Sequence, residues 1–168
     1  SNNTGVGQAA LGANTTGTSN VAVGKDALLA NTTGAENAGI GTFCLAANTT
    51  GSQNVAIGFR ALDANTTAAS NTAVGFASLG ANTTGTVNTA VGKSTLSANT
   101  TGSYNVGMGV DSLLSNTTGE VNVAIGNNSL RGNTTADQNT AVGTNAMYAT
   151  TTGADNVAVG HNALDANT

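Results

Sequence analysis

A 17-residue repeat runs along the whole chain without insertion or deletion, and it restricts the fold more than any other feature of the sequence. Every copy opens on an asparagine, from which repeat positions are counted here. These residues are Asn3, Asn20, Asn37, Asn54, Asn71, Asn88, Asn105, Asn122, Asn139 and Asn156. A fixed short period is typical of solenoids and fibres, in which each repeat packs on its neighbours.

The repeats form one array and predict one structural unit. Nine full repeats cover residues 3–155, and a partial tenth covers residues 156–168. The chain begins without a methionine and stops within a repeat. We therefore expect residues 1–168 to be a fragment of a longer fibre protein.

The composition favours close stacking of small side chains. Charged residues make up 7% of the chain, hydrophobic residues 39%, and there are 23 glycines. Disordered chains combine low hydrophobicity with high net charge, and this chain has neither. Four basic residues and a net charge of −4 do not suit nucleic-acid binding. No apolar run approaches the ~20 residues of a membrane-spanning helix, so we expect no membrane insertion in this segment.

Repeat positions two to five predict a strand with two unlike faces. Positions two and four carry apolar or β-branched residues, whereas positions three and five carry alanine or glycine. We expect the fourth-position side chains to fill the core, and the bare face to admit a second backbone. The predicted core residues of this strand are Val23, Ile40, Ile57, Val74, Val91 and Ile125. The glycines at position five include Gly24, Gly41, Gly58, Gly75 and Gly92.

Leucine at position nine and a small residue at position eleven predict a second extended segment that also faces inward. The leucines assigned to the core are Leu28, Leu45, Leu62, Leu79, Leu96, Leu113 and Leu130. Asn-Thr-Thr-Gly then indicates a turn. The sequence predicts an all-β parallel β-solenoid, or β-roll, of ten coils with two strands and two corners each. At the usual strand spacing it would be roughly 45–50 Å long.

Stacked coils place equivalent residues above one another. We expect the opening asparagines, such as Asn54, Asn71 and Asn88, to form hydrogen-bonded amide ladders. One leucine and one valine or isoleucine per coil give a thin interior, which predicts self-association that completes the core.

Segments such as Asn54-Val55-Ala56-Ile57-Gly58 resemble the head repeats of trimeric autotransporter adhesins. The form ending in Asn-Thr-Thr-Gly is also similar to repeats of phage tail-fibre-like and other large extracellular fibre proteins. The resemblance covers all ten repeats and implies left-handed β-rolls, three of which associate around a common axis. The adhesin-head repeat is typically shorter than the repeat of this chain, which has the Asn-Thr-Thr-Gly segment in addition.

Residues that could support catalysis or metal binding are isolated. His161 stands at a variable position, and Cys44 occupies a slot that otherwise holds Ala, Ser or Thr. Asp63, Asp111 and Asp165 have no acidic partners at metal-binding spacing. We therefore expect no enzyme activity, no cofactor and no metal site.

The Asn-Thr-Thr triplets are formal N-glycosylation sites, for which we favour a structural turn role. They begin at Asn14, Asn31, Asn48, Asn65, Asn82, Asn99, Asn116 and Asn133. The regularly spaced threonines also suggest ice binding as a function. Adjacent threonines point to opposite sides of a strand, however, so at most one per coil would face outward.

The sequence thus predicts a non-catalytic segment of an extracellular fibre or filament, at a cell surface or in a virion fibre. It would act in adhesion or assembly as a homotrimer or a polymer. A host surface or a glycan is the expected external partner. The alternative is a monomeric solenoid that binds ice or carbohydrate through a ladder of equivalent side chains.

Overall fold

The computed structural model describes residues 2–166 as ten three-residue strands, one per repeat, without a helix in that range. Each strand occupies repeat positions two to four. The strands are β1 (Thr4–Val6), β2 (Val21–Val23), β3 (Ala38–Ile40), β4 (Val55–Ile57), β5 (Thr72–Val74), β6 (Thr89–Val91), β7 (Val106–Met108), β8 (Val123–Ile125), β9 (Thr140–Val142) and β10 (Val157–Val159).

The strands form one parallel sheet in sequence order, and each residue pairs with its equivalent one repeat away. Ile57, for example, pairs with Ile40 on one side and with Val74 on the other. Parallel neighbours joined by 14-residue connections make every coil a full turn around the same axis. The predicted all-β parallel β-solenoid is confirmed.

Backbone hydrogen bonds also join successive coils outside the strands. The N–H of Leu62 donates to the carbonyl of Ser78 at 3.0 Å, and that of Thr66 donates to Thr83 at 3.2 Å. The coils therefore stack around most of their circumference, so few backbone polar groups lack a partner.

The prediction of a second strand in each coil is wrong. Arg60 and Leu62, at positions seven and nine, have φ values of 56° and 53°, which are left-handed and not extended. Ala61 and Leu62 are neighbours, yet both are fully buried. Neighbouring residues of a strand would point to opposite sides, so this segment curls instead and turns two consecutive side chains inward.

The position-nine leucines line the interior, as predicted. They are fully buried in the seven central coils, at Leu28, Leu45, Leu62, Leu79, Leu96, Leu113 and Leu130. Opposite them the strands contribute the alanines of position three, of which Ala22, Ala56, Ala73, Ala90, Ala124 and Ala141 are fully buried. The core is therefore a leucine column packed against an alanine column.

The prediction that position four fills the interior is wrong for the single chain. Ile40, Ile57, Val91 and Ile125 are 43%, 39%, 36% and 38% exposed, and Val23 and Val74 are partly exposed. The reason is space. A Cβ atom on Gly39 would already lie 3.0 Å from the sulfur of Cys44, so the inner face of the strand accepts only glycine or alanine.

Glycine at position five allows successive coils to approach each other. Gly58 has φ 133°, and a Cβ atom there would lie 2.6 Å from the carbonyl oxygen of Gly75. Gly24, Gly41, Gly75 and Gly92 have φ values of 133–137° as well. The second backbone that these glycines admit is the next coil of the same chain.

Candidate interaction surfaces

The outward side chains of the strands form a continuous surface, here called the strand face. It consists of repeat positions two and four in all ten coils. No charged residue occurs at positions one to five of any repeat. In the centre of this face Ile40, Ile57, Val74 and Val91 lie in line in four successive coils, and all but the partly exposed Val74 are exposed. The chain thus presents a straight, uncharged strip of mostly β-branched side chains to solvent.

Two asparagine ladders hold the corner before the strand face. The amide nitrogen Nδ2 of Asn54 donates to the carbonyl of Ala68 at 2.9 Å, and Nδ2 of Asn65 donates to the same carbonyl at 3.1 Å. Nδ2 of Asn65 also donates to Oδ1 of Asn48 at 2.9 Å, one coil away. Oδ1 of Asn54 accepts the backbone N–H of Asn71 at 3.0 Å. The predicted amide ladders are confirmed, and Asn54, Asn71 and Asn88 are fully buried within them.

Seven of the eight asparagines of the Asn-Thr-Thr triplets are inaccessible in the folded chain, and Asn14 of the first coil is partly exposed. Those at Asn31, Asn48, Asn65, Asn82, Asn99, Asn116 and Asn133 are fully buried. Each donates from Nδ2, the atom that a glycan would modify, to the preceding ladder asparagine and to a carbonyl three residues later. This supports a structural role for the triplets.

The second threonine of each triplet is exposed, and these residues form the threonine row. It includes Thr33, Thr50, Thr67, Thr84, Thr101, Thr118 and Thr135. The hydroxyl group of the first threonine hydrogen-bonds to the backbone of the next coil instead. Oγ1 of Thr49, for example, donates to the carbonyl of Thr66 at 3.0 Å. One threonine per coil therefore faces solvent.

Positions six and seven gather most of the cations and all the phenylalanines of the chain. We call Lys25, Phe43, Phe59, Arg60, Phe76 and Lys93 the basic–aromatic corner. The rings of Phe59 and Phe76 stack with centroids 5.7 Å apart, and Phe43 meets Phe59 edge-on at 6.2 Å. Lys25 Nζ lies 5.9 Å from the Phe43 centroid, and Arg60 Cζ lies 5.9 Å from that of Phe59. Phenylalanines one repeat apart are the sequence signal for this contact.

The isolated residues that could take part in chemistry remain apart. His161 is exposed. Cys44 is buried, its thiol donates to the carbonyl of Gly41 at 3.0 Å, and desolvation raises its pKa to about 11 against the opposing effect of a backbone hydrogen bond. Burial also raises the pKa of Asp63, an effect that Arg60 partly offsets from 3.6 Å.

Residues 2–166 contain no cluster of three His, Cys, Asp or Glu side chains that could hold a metal, and their surface has no pocket. Within the same range no helix could span a membrane.

Comparisons with protein-family models, with curated protein sequences and with solved structures gave no match to this chain.

Proposed function

We propose that this chain is a non-catalytic structural segment of an extracellular fibre or filament, at a cell surface or in a virion fibre, and that copies assemble through the strand face. The observation that carries the proposal is the uncharged apolar strip that position four forms along the ten-stranded sheet. Seven of its ten side chains are exposed, at Val6, Ile40, Ile57, Val91, Met108, Ile125 and Val159. Contiguous exposed apolar surface of this kind marks an interaction site. The interior behind it is too thin to bury these side chains as well.

A second copy of the chain suits this surface better than an unrelated protein. The strip repeats at the spacing of the coils, roughly 4.8 Å, and only another stack with the same spacing matches it side chain for side chain. The strand face carries no charge, so identical copies do not repel each other there. Packing two such faces would also remove exposed apolar area from both chains.

The resemblance of Asn54-Val55-Ala56-Ile57-Gly58 to trimeric autotransporter adhesin heads favours three copies around a common axis. In such a trimer the strand faces would surround the axis, while the alanine and glycine face stays inside each coil. Adhesion to a host surface would then be performed by the outer corners. Polymerisation into a longer filament is compatible with the same fold.

Light scattering at several protein concentrations tests the proposal. We expect a defined multiple of the 16.2 kDa chain mass, with threefold mass favouring the adhesin-like arrangement. Concentration-dependent polymers would favour the filament. A monomer at every concentration would overturn self-association.

Two charge-introducing variants locate the interface. Ile57→Asp places a carboxylate within the strand face, whereas Thr84→Asp places the same charge in the exposed threonine row. We expect Ile57→Asp to reduce the mass to that of the monomer, because burying an unpaired carboxylate is unfavourable. Thr84→Asp should keep the wild-type mass. Equal masses for the two variants would reject the strand face as the interface.

The threonine row favours the alternative, a monomeric binding module. Exposed hydroxyl groups one coil apart, such as those of Thr67, Thr84 and Thr101, suit a repetitive target such as ice or a polysaccharide. Thermal hysteresis by wild-type protein that is lost in Thr84→Asp would favour ice binding over the structural role.

A further inference from the structure

The basic–aromatic corner holds three of the four basic residues of an acidic chain. Lys25, Arg60 and Lys93 belong to the second, fourth and sixth coils, so they recur every two coils, or about 9–10 Å. The fourth basic residue, Arg131, lies at position ten, and its guanidinium carbon is 5.7 Å from the ring of Tyr148. The remaining coils place no Lys or Arg at positions six and seven.

Aromatic rings lie in the two coils between these cations and also in the coil of Arg60. Phe43 belongs to the third coil, Phe59 to the fourth and Phe76 to the fifth. Phe59 and Phe76 are 43% and 52% exposed, although neither is needed for the core. Along the axis of the solenoid, the second, fourth and sixth coils therefore carry a cation, and the third, fourth and fifth coils carry an aromatic ring.

The backbone holds this corner rigidly. The N–H of Phe43 donates to the carbonyl of Lys25 at 3.0 Å, that of Arg60 to Thr42 at 3.1 Å, and that of Ser94 to Phe76 at 2.9 Å. A rigid array loses little conformational entropy when a ligand binds. Three carboxylates lie nearby, and one of them belongs to Asp111, whose backbone N–H donates to the carbonyl of Lys93 at 3.1 Å. Asp26 follows Lys25, and Oδ2 of Asp63 is 3.6 Å from Arg60 Nε, which leaves the terminal guanidinium nitrogens free of that contact.

We propose that the basic–aromatic corner binds an extended acidic polysaccharide with one carboxylate per disaccharide, laid along the solenoid axis. The two-coil spacing of the cations is comparable to the length of an extended disaccharide, so successive carboxylates meet successive cations. The apolar C–H faces of the intervening sugar rings pack against the phenylalanine rings. Single-stranded nucleic acid fits less well, because its phosphates are more closely spaced than these cations.

The corner shares no residue with the strand face, so this proposal is independent of self-association. Hyaluronan oligosaccharides, which carry one carboxylate per disaccharide, are the probe. Dextran and poly(dT) test the alternatives of a neutral polysaccharide and a nucleic acid. Calorimetry at low and high salt would measure affinity, with light scattering on the same samples. We expect hyaluronan to bind, with an affinity that salt weakens.

Three variants separate the corner from a general charge effect. Lys25→Gln/Arg60→Gln/Lys93→Gln removes the three cations. Thr33→Glu/Thr67→Glu/Thr101→Glu lowers the net charge by the same amount on the threonine row, with the same two-coil spacing. Phe59→Thr/Phe76→Thr removes two rings and introduces the residue found at the same position in Thr42 and Thr144.

The glutamine variant should lose at least roughly tenfold in affinity, the factor of one charge-assisted hydrogen bond, and the double threonine variant should weaken binding as well. The glutamate variant should bind like wild type. A wild-type chain that does not bind hyaluronan, equal losses in the glutamine and glutamate variants, or equal binding of poly(dT) or dextran would overturn the proposal. Binding lost while the mass is kept would separate this site from the assembly surface.

Discussion

Within residues 2–166, Oδ1 of the buried Asn133 side chain has no hydrogen-bond donor, because Thr150 stands one coil later in place of the next ladder asparagine. The six asparagines from Asn31 to Asn116 in this ladder each donate from Nδ2 to the preceding Oδ1, and Asn133 itself donates to Asn116 at 2.8 Å. Oγ1 of Thr150 is also buried and unpaired. Two buried oxygens therefore lack partners at one break in the ladder.

We predict that Thr150→Asn stabilises the chain by about 1–3 kcal/mol, the usual penalty of leaving a buried polar group unpaired. The new Nδ2 would donate to Oδ1 of Asn133 and to the carbonyl of Gly153, as its equivalents do in the earlier coils. Urea unfolding measures the change. Asn99→Thr, which creates the same break in the middle of the ladder, is the control and should destabilise the chain. No gain from Thr150→Asn would contradict this account of the break.

A second prediction concerns the contact between positions three and eight across the interior. A Cβ atom on Gly39 would lie 3.0 Å from Sγ of Cys44, so Gly39→Ala should destabilise the fold by about 1–3 kcal/mol through overpacking. Gly39→Ala/Cys44→Ala should recover most of that loss, because the pair then matches Ala56 and Ala61 of the next coil. A double-mutant cycle measures the coupling, and additive effects would contradict direct packing.

The period, the leucine column and the amide ladders could be predicted from the sequence, because stacking at a fixed period aligns equivalent residues whatever the shape of the coil. The side of the strand that faces inward could not be predicted. Alternation distinguishes Ala56 from Ile57 but does not say which of them is buried. The buried side is the one that faces Leu62, and the left-handed backbone at Leu62 turns that side chain into the interior. This conformation is rare for a leucine and leaves no recognisable signal in the sequence.

Among the surface sites, too, one could be predicted from the repeat period and one could not. A contact between Phe59 and Phe76 follows from the period alone, since both stand at position six of successive repeats. The strand face required the structure, because the pattern that predicted a core at Ile57 is the pattern of an exposed apolar strip. Small residues on one side of a strand can indicate either an open surface or a crowded interior.

A third prediction tests the approach of successive coils at position five. Gly58→Ala should destabilise the chain, with about 1–3 kcal/mol from the unfavourable φ alone and a further loss from the 2.6 Å contact with the Gly75 carbonyl. Gly80→Ala is the matched control. A Cβ atom there meets its nearest neighbour, the carbonyl of Ala77, at 3.3 Å, and alanine occupies the same repeat position at Ala46. Thermal unfolding of both variants measures the difference, and similar melting temperatures would reject it.

The final prediction follows from the buried thiol of Cys44, whose pKa burial raises from 9.0 to about 11. The folded chain holds this proton more tightly than the unfolded chain does. The stability that the neutral thiol contributes is therefore fully present below about pH 9 and is lost as the pH rises through about 11.

Cys44→Ala is the comparison variant. It removes the thiol and introduces a side chain that the interior already accepts, since Ala61 occupies the equivalent position one coil later. The free energy of unfolding should fall with rising pH more steeply in wild type than in Cys44→Ala, by on the order of 1–3 kcal/mol over this range. The comparison subtracts every effect of pH that the two proteins share. Parallel pH profiles, or rapid labelling of the folded thiol by a maleimide, would show that the thiol is not held neutral inside the coil.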